Sequence, residues 1–295
     1  MAHKICLGVE ICQDNLKIAL VEPERKNIIK IDAVPTSGNP VNDASIYASV
    51  LGSWMRSSSL LAKVNSVAVA FPSYNVIMRL VTIPKETVNA NEYVNWEFAS
   101  AINSQASDYQ LDISFYPNEK KPVRSIVTAI RKKVIESFRS AKLGDSGFKP
   151  NHLIADTCAL LNLLEYTEGL SSQPKCVLKA DEKFVTACWG NTTGPLGVRL
   201  LPKDCISPYS VAGILESGYE EFPKTKKKVK FCGELSAKAS FTSELIKEAH
   251  NLNVPLQIQP WNSLSKFSLE KGADSSKLPQ CMGAIGATLN CMWET

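Results

Sequence analysis

The sequence predicts an α/β fold, and three observations predict it. Short stretches alternate apolar and polar residues with a period of two, as in Ile5, Leu7, Val9 and Ile11 and again in Leu16, Ile18 and Leu20. Longer stretches between them carry apolar residues four apart, such as Ile46, Val50 and Trp54, or Val94, Phe98 and Ile102. The composition, 44% apolar and 21% charged over 295 residues, is that of ordinary globular material, enough for one large domain or two.

Three strands open the chain, at about 4–12, 15–22 and 27–34, with turn chemistry at Asp14-Asn15. Asp43 is placed to cap a helix that buries Ile46, Val50 and Trp54. A buried strand at 66–71 ends in Phe71-Pro72, and Val76–Ile83 leads to Pro84. Residues 85–150 read helix, strand, strand, helix. The first helix has Val94, Phe98, Ala101 and Ile102 on one face, and Leu111, Ile113 and Phe115 alternate next. Val127 and Ala129 then oppose Ile126 and Ile130, and a helix with Val134, Phe138 and Ala141 ends near Gly144. In the first helix Trp96 lies about 160° around from Phe98, off the core stripe.

The second half begins with a helix from Asp156 to Leu164. A strand at 176–178, a turn at Lys179-Ala180-Asp181 and a strand at 184–189 follow. Another strand at 196–201, a helix at 209–221 and a strand at 229–232 reach Gly233-Glu234. A helix with Leu245, Ile246 and Ala249 comes next, and Ala284–Leu289 forms a closing helix.

Composition excludes several functions. A net charge of +4 gives no footprint for nucleic acid. Nine cysteines form no Cys-x-x-Cys pair and the histidines, His3, His152 and His250, are far apart, so spacing carries no zinc or redox signature. Scattered thiols suit a reducing compartment. No apolar run reaches the roughly 20 residues that span a bilayer, and none follows the N-terminal Lys as a signal peptide would. No Gly-x-Ser-x-Gly elbow, P-loop, His-Glu-x-x-His or Rossmann glycine series is present.

The order of Glu10–Lys17, of Asn65–Pro72, of Val76–Pro84, of Tyr93-Val94-Asn95-Trp96-Glu97 and of Ala284–Leu289 resembles the PilM family, the cytoplasmic actin-like component of type IV pilus assembly. The resemblance implies an actin-like fold, a duplicated ribonuclease H-like unit, with an inserted αββα-type subdomain and a missing or reduced second small subdomain. It divides the chain into subdomain 1A at 1–84, an inserted subdomain 1C at 85–150, and subdomain 2A at 151–279 with a vestige of 2B at about 203–228. A C-terminal helix at 280–295 returns to 1A.

The same resemblance places a nucleotide cleft on the two hairpins and on Gly233, and the residues there depart from it. Glu10 keeps the acid position, but Cys12 stands where glycine would admit phosphate and Asp14 adds negative charge. Lys179 stands where a carboxylate would orient magnesium, and Asp181 where glycine would admit phosphate. Glu234 replaces the second glycine of the adenosine loop after Gly233. Lys17 keeps the family's lysine position, though a lone lysine reads as a surface charge.

These departures imply a pseudo-ATPase scaffold. No cofactor is expected, with magnesium–ATP as the open alternative. The implied partner is the cytoplasmic N-terminal tail of a single-span, PilN-like inner-membrane protein of a type IV pilus or type II secretion platform, docked beside the inserted subdomain. Helix geometry makes Tyr93, Trp96 and Glu97 candidates for that groove. Self-association stays open. The expected location is cytoplasmic, peripheral at the inner membrane through the partner or through the basic stretch Lys224–Lys230. Two other functions remain: an active actin-like ATPase with drifted loops, and an FtsA-like filament-forming membrane adaptor. The ending Leu289–Thr295 lacks the basic face of such an adaptor's membrane helix.

Overall fold

The computed structural model describes residues 4–37, 43–57, 64–102, 106–115, 124–140, 150–192, 194–226 and 228–292. The expected helix end at Ala141–Gly144, together with Lys227 and Trp293–Thr295, lies outside them.

The first lobe is a sheet of β1 (Ile5–Ile11), β2 (Asn15–Glu22), β3 (Asn27–Pro35), β4 (Val64–Phe71) and β8 (His152–Ala155) in the order β3-β2-β1-β4-β8. The first three strands are antiparallel, while β4 and β8 run parallel to β1. The second lobe repeats this plan with β9 (Lys175–Ala180), β10 (Phe184–Asn191), β11 (Gly194–Pro202), β12 (Lys228–Cys232) and β13 (Gln257–Pro260), in the order β11-β10-β9-β12-β13. Here too the hairpin strands are antiparallel and the last two parallel. A short β14 (Ser268–Leu269) extends the first sheet beyond β3. The chain is thus one strand order used twice.

Helices α4 (Asp156–Glu168) and α7 (Met282–Thr288) lie between the two sheets. One apolar cluster joins Val21 and Ile28 of the first sheet, Leu160 and Leu163 of α4, Ile285 of α7 and Val177 of the second sheet. Burying each such side chain contributes about 1.5–3 kcal/mol. Helix α7 sits so close to β1 that a Cβ added at Gly8 would come within 1.9 Å of the Ala284 carbonyl oxygen. Only glycine allows that contact.

Helix α1 (Ala44–Ser57) corrects one expectation. Its buried stripe is Tyr47, Leu51, Trp54 and Met55, and Ile46 is exposed. The Tyr47 hydroxyl donates toward the carbonyls of Cys12 and Gln13, both at 3.1 Å, which sets the helix one residue round from the Ile46–Val50–Trp54 reading.

A third sheet, in the order β5-β7-β6, holds β5 (Ile77–Thr82), β6 (Tyr109–Phe115) and β7 (Arg124–Arg131). Helix α2 (Ala90–Ala101), capped by Asn89, lays Val94 and Phe98 on Val81, Val127 and Ala129. Ala101, placed on that stripe by spacing, is exposed. The inserted unit therefore begins with a strand, since β5 pairs with β7. The next helix, α3 (Lys132–Ser140), returns to the first lobe, where Phe138 meets Phe71 edge-on at 5.0 Å between centroids.

Between β11 and β12 the described residues hold a 3-10 turn and α5 (Pro208–Glu221). Val211, Ala212 and Leu215 of α5 are buried in the second lobe's core. This helix is a layer of the lobe. Helix α6 (Ala239–Asn251) packs beside it through Leu245 and Ala249.

Candidate functional site

The two hairpins bring their charged side chains to one buried point between the lobes. Glu10 is the last residue but one of β1, and Lys17, near the start of β2, lies directly across from it in register. Lys179 is the last residue but one of β9, and Asp181 follows in the turn to β10. Lys179 Nζ contacts Glu10 Oε1 and lies 3.3 Å from Asp156 Oδ2 and 3.4 Å from Asp181 Oδ2. Lys17 Nζ donates to Asp181 Oδ1 at 2.5 Å. Each lobe thus supplies a lysine to the other's carboxylate. Asp156, at the start of α4, also accepts from the Ser73 hydroxyl and from the Thr157 amide at 2.7 Å.

Burial governs the electrostatics. Glu10 and Lys17 are fully buried, and Lys179, Asp181 and Asp156 nearly so. Burial alone would depress the Lys17 ammonium, but Asp181, Cys12 and Glu10 together outweigh it and its pKa rises. Lys179 is raised in the same way, with Glu10 supplying the largest opposing attraction. Burial likewise pushes Asp181 up, and Lys17 with Lys179 more than reverses this, so it sits below the usual carboxylate range. At Glu10 burial outweighs the attraction of Lys179 and Lys17, so that carboxyl is pushed up. A buried network of this kind is costly to break on one side only.

Directly against this network a cavity of about 20 Å³ remains, lined by Cys12, Gln13, Asp14, Tyr74, Phe184 and Glu234 among others. A more open space of about 500 Å³ adjoins it at Asp14 and Glu234, lined also by Asn15, Glu182 and Lys238. Contacts across the lobes narrow the inner part. The rings of Tyr74 and Phe184 lie 4.5 Å apart, Asn15 donates to Glu234 Oε1 at 2.7 Å, and Lys183 stands 3.9 Å from Asp14. The Glu234 amide donates to Asp181 at 3.0 Å, and its second carboxylate oxygen accepts from the Glu182 amide at 3.1 Å. Gly233 has φ of 94°, and a Cβ there would meet the Ala180 carbonyl oxygen at 2.4 Å. Its glycine is accounted for by this close approach of backbone to backbone.

All eight sequence-predicted cleft residues, Glu10, Cys12, Asp14, Lys17, Lys179, Asp181, Gly233 and Glu234, therefore surround one place. Lys17 corrects its expectation, being fully buried rather than a surface charge. Sequence reasoning missed Asp156, Ser73, Tyr74 and Phe184. The only signal for Asp156 is a carboxylate interrupting the apolar run from Leu153 to Leu164.

A second feature is a groove of about 660 Å³. Asp112, Ile126, Thr128 and Ile130 of the third sheet form one side, Leu153 and Ile154 of β8 the base, and Cys158 and Glu165 of α4 the other side. Among the described residues, strand β8 is the last in its sheet and pairs with β4 alone, which leaves an outer edge to which another strand could add. Tyr93, Trp96 and Glu97 lie elsewhere. Helix α2 covers the Val127 and Ala129 face of β7, whereas the groove uses the alternate residues. Trp96 is 62% exposed with its ring 5.9 Å from that of Tyr93, and Glu97 pairs with Arg79 at 2.8 Å.

No family model matches the chain, and no curated protein matches it in sequence. Among solved structures, a chain of the PilM–PilN type IV pilus biogenesis complex superposes with a TM-score of 0.72 at 17% identity, covering 97% of this chain and 98% of that one. A Bacteroides thetaiotaomicron protein with actin-like ATPase fold gives 0.55 at 13% identity, over 95% of this chain and 96% of that one. The cytoplasmic domain of EpsL, an inner-membrane component of the Vibrio cholerae type II secretion system, gives 0.54 at 10% identity, over 95% and 94%. The chain has the actin-like ATPase fold, in a form that resembles the PilM–PilN chain over nearly its whole length.

Proposed function

We propose that this protein is a non-hydrolysing, actin-like scaffold of a type IV pilus or type II secretion assembly platform that captures the cytoplasmic N-terminal tail of a membrane partner. The observation that carries the first half is Lys179, buried among Glu10, Asp156 and Asp181 in the cleft. An ammonium group there offers no ligand to magnesium, and the space directly against it, about 20 Å³, is too small to seat a chain of phosphates. The solved structures of like fold support the second half: one is a PilM–PilN complex and another is the cytoplasmic domain of a secretion-system membrane component.

The groove beside β8 supports a binding mode. An extended peptide adds a strand to the open edge of β8 and drops alternate side chains between Ile130 and Leu153. Among the described residues, Asp112 and Glu165 are the charged side chains of the lining. That lining suits a basic tail, and cytoplasmic flanks of membrane spans are rich in lysine and arginine. No helix among the described residues is long and apolar enough to cross a membrane, so in this reading the partner holds the scaffold at the inner membrane.

The test is calorimetric titration of the chain with a synthetic peptide of such a tail. Thr128→Trp, which fills the groove, is expected to weaken binding at least about tenfold, roughly 1.4 kcal/mol. Trp96→Ala, on the far side of the third sheet, is expected to leave it unchanged. Tight binding that survives Thr128→Trp, or that is lost with Trp96→Ala, would contradict the groove.

A further inference from the structure

Four lysines gather around one cavity at the end of the second sheet remote from the cleft. Lys175 opens β9, Lys228 and Lys230 lie on the neighbouring β12, and Lys226 precedes that strand. Lys228 and Lys230 are two apart and so share a face of β12, while Val229 and Phe231 point into the lobe's core. With Leu164 and Glu168 of α4 they line a cavity of about 470 Å³.

The charges there do not balance. Glu168, the one carboxylate of the lining, lies 2.5 Å from Lys230 and 3.7 Å from Lys175. Lys226 and Lys228 have no carboxylate partner among the described residues. Lys175 is only 9% exposed, and its ammonium donates to the Gly169 carbonyl at 2.7 Å, where α4 ends. Its pKa is lowered first by burial, and Lys226 and Lys230 add to this against the pull of Glu168. A nearly buried ammonium crowded by like charges is a standing cost that an anion would relieve.

We propose that this cavity is an anion site for a phosphoryl group, carried either on a soluble phosphate ester or on a lipid headgroup. Lysines act as mobile point charges that suit an anionic phosphate, and their excess over Glu168 leaves net positive charge for it to meet. The volume admits a phosphoryl group together with the organic part that bears it, with Leu164 and Cys176 as apolar lining. The site stands apart from the peptide groove and does not depend on that reading.

The experiment titrates inorganic pyrophosphate into the full chain by calorimetry, and pellets the chain with vesicles of phosphatidylglycerol in phosphatidylcholine or of phosphatidylcholine alone. Saturable pyrophosphate binding that weakens with salt is the expected result, and in the Lys226→Glu, Lys228→Glu variant it falls at least about tenfold. Both substituted side chains reach solvent, so circular dichroism is expected to give the same melting curve as the parent. Lys175→Gln, which removes the charge and keeps a polar end, is expected to weaken binding in the same direction. Pelleting with phosphatidylglycerol vesicles that the double variant loses identifies a headgroup as the source of the phosphate. Pyrophosphate binding without pelleting identifies a soluble ester. Binding of neither probe, or binding equally strong in the double variant, overturns the proposal.

Discussion

Removing the Lys179 ammonium would leave Glu10, Asp156 and Asp181 facing one another with Lys17 as the remaining cation. Lys179→Met is therefore expected to destabilise the fold by about 3–5 kcal/mol in urea denaturation. Adding Glu10→Gln should recover part of that loss, because the two residues share one contact and their effects are not additive. The same cluster sets a pH dependence at both ends. Lys17 and Lys179 are raised in the folded state, so their contribution is full below the ordinary lysine value of 10.5 and is lost as pH rises above it. Asp181 is lowered, so its contribution is full above the ordinary value of 3.8 and is lost as pH falls below it. Stability measured across pH should fall off at both limits, and Lys179→Met should flatten the alkaline one. The charged positions were legible in the sequence because the resemblance to the actin-like family places Glu10, Lys17, Lys179 and Asp181 on its two phosphate hairpins. Their pairing was not, because Lys179 and Glu10 are 169 residues apart and meet only when the lobes close.

Strands were more legible than helix faces. Period-two alternation is local, and β1 to β3 lie within a residue or so of their expected bounds. A helix face depends on what covers it. Ile46–Val50–Trp54 and Tyr47–Leu51–Trp54–Met55 are both helical stripes, and the Tyr47 hydroxyl contact with the first hairpin selects the second. The third sheet shows the same limit. The pattern of α2 and its two following strands was visible, yet β5 joins them and α3 leaves them through long-range pairing and packing. Helix α7 is the element most tightly fixed, since all seven of its residues are buried. Gly8→Ala would drive a methyl group into the Ala284 carbonyl, and is expected to cost about 1–3 kcal/mol or more. Hydrogen exchange should then speed up in α7 and β1 before the second sheet. Uniform exchange across both lobes would mean that α7 does not hold the first sheet as its contacts imply.

Across the whole molecule, one strand order appears twice and α4 with α7 joins the copies. The sequence resemblance anticipated this duplication from two hairpins and a closing helix. It did not reveal that the cleft between the copies is bridged by Glu10–Lys179, Lys17–Asp181, Asn15–Glu234 and the Tyr74–Phe184 pair. The proposed function reads those bridges as fixing a cleft that no longer takes nucleotide, and takes the groove beside β8 as the place where a partner docks. Isothermal titration of the chain with magnesium–ATP tests this most directly. The closed cleft predicts no heat of binding up to high micromolar nucleotide, both in the parent and in Thr128→Trp. Saturable micromolar binding in the parent would contradict it, and would make the protein a nucleotide-dependent member of its fold with Lys17 and Glu10 as binding residues.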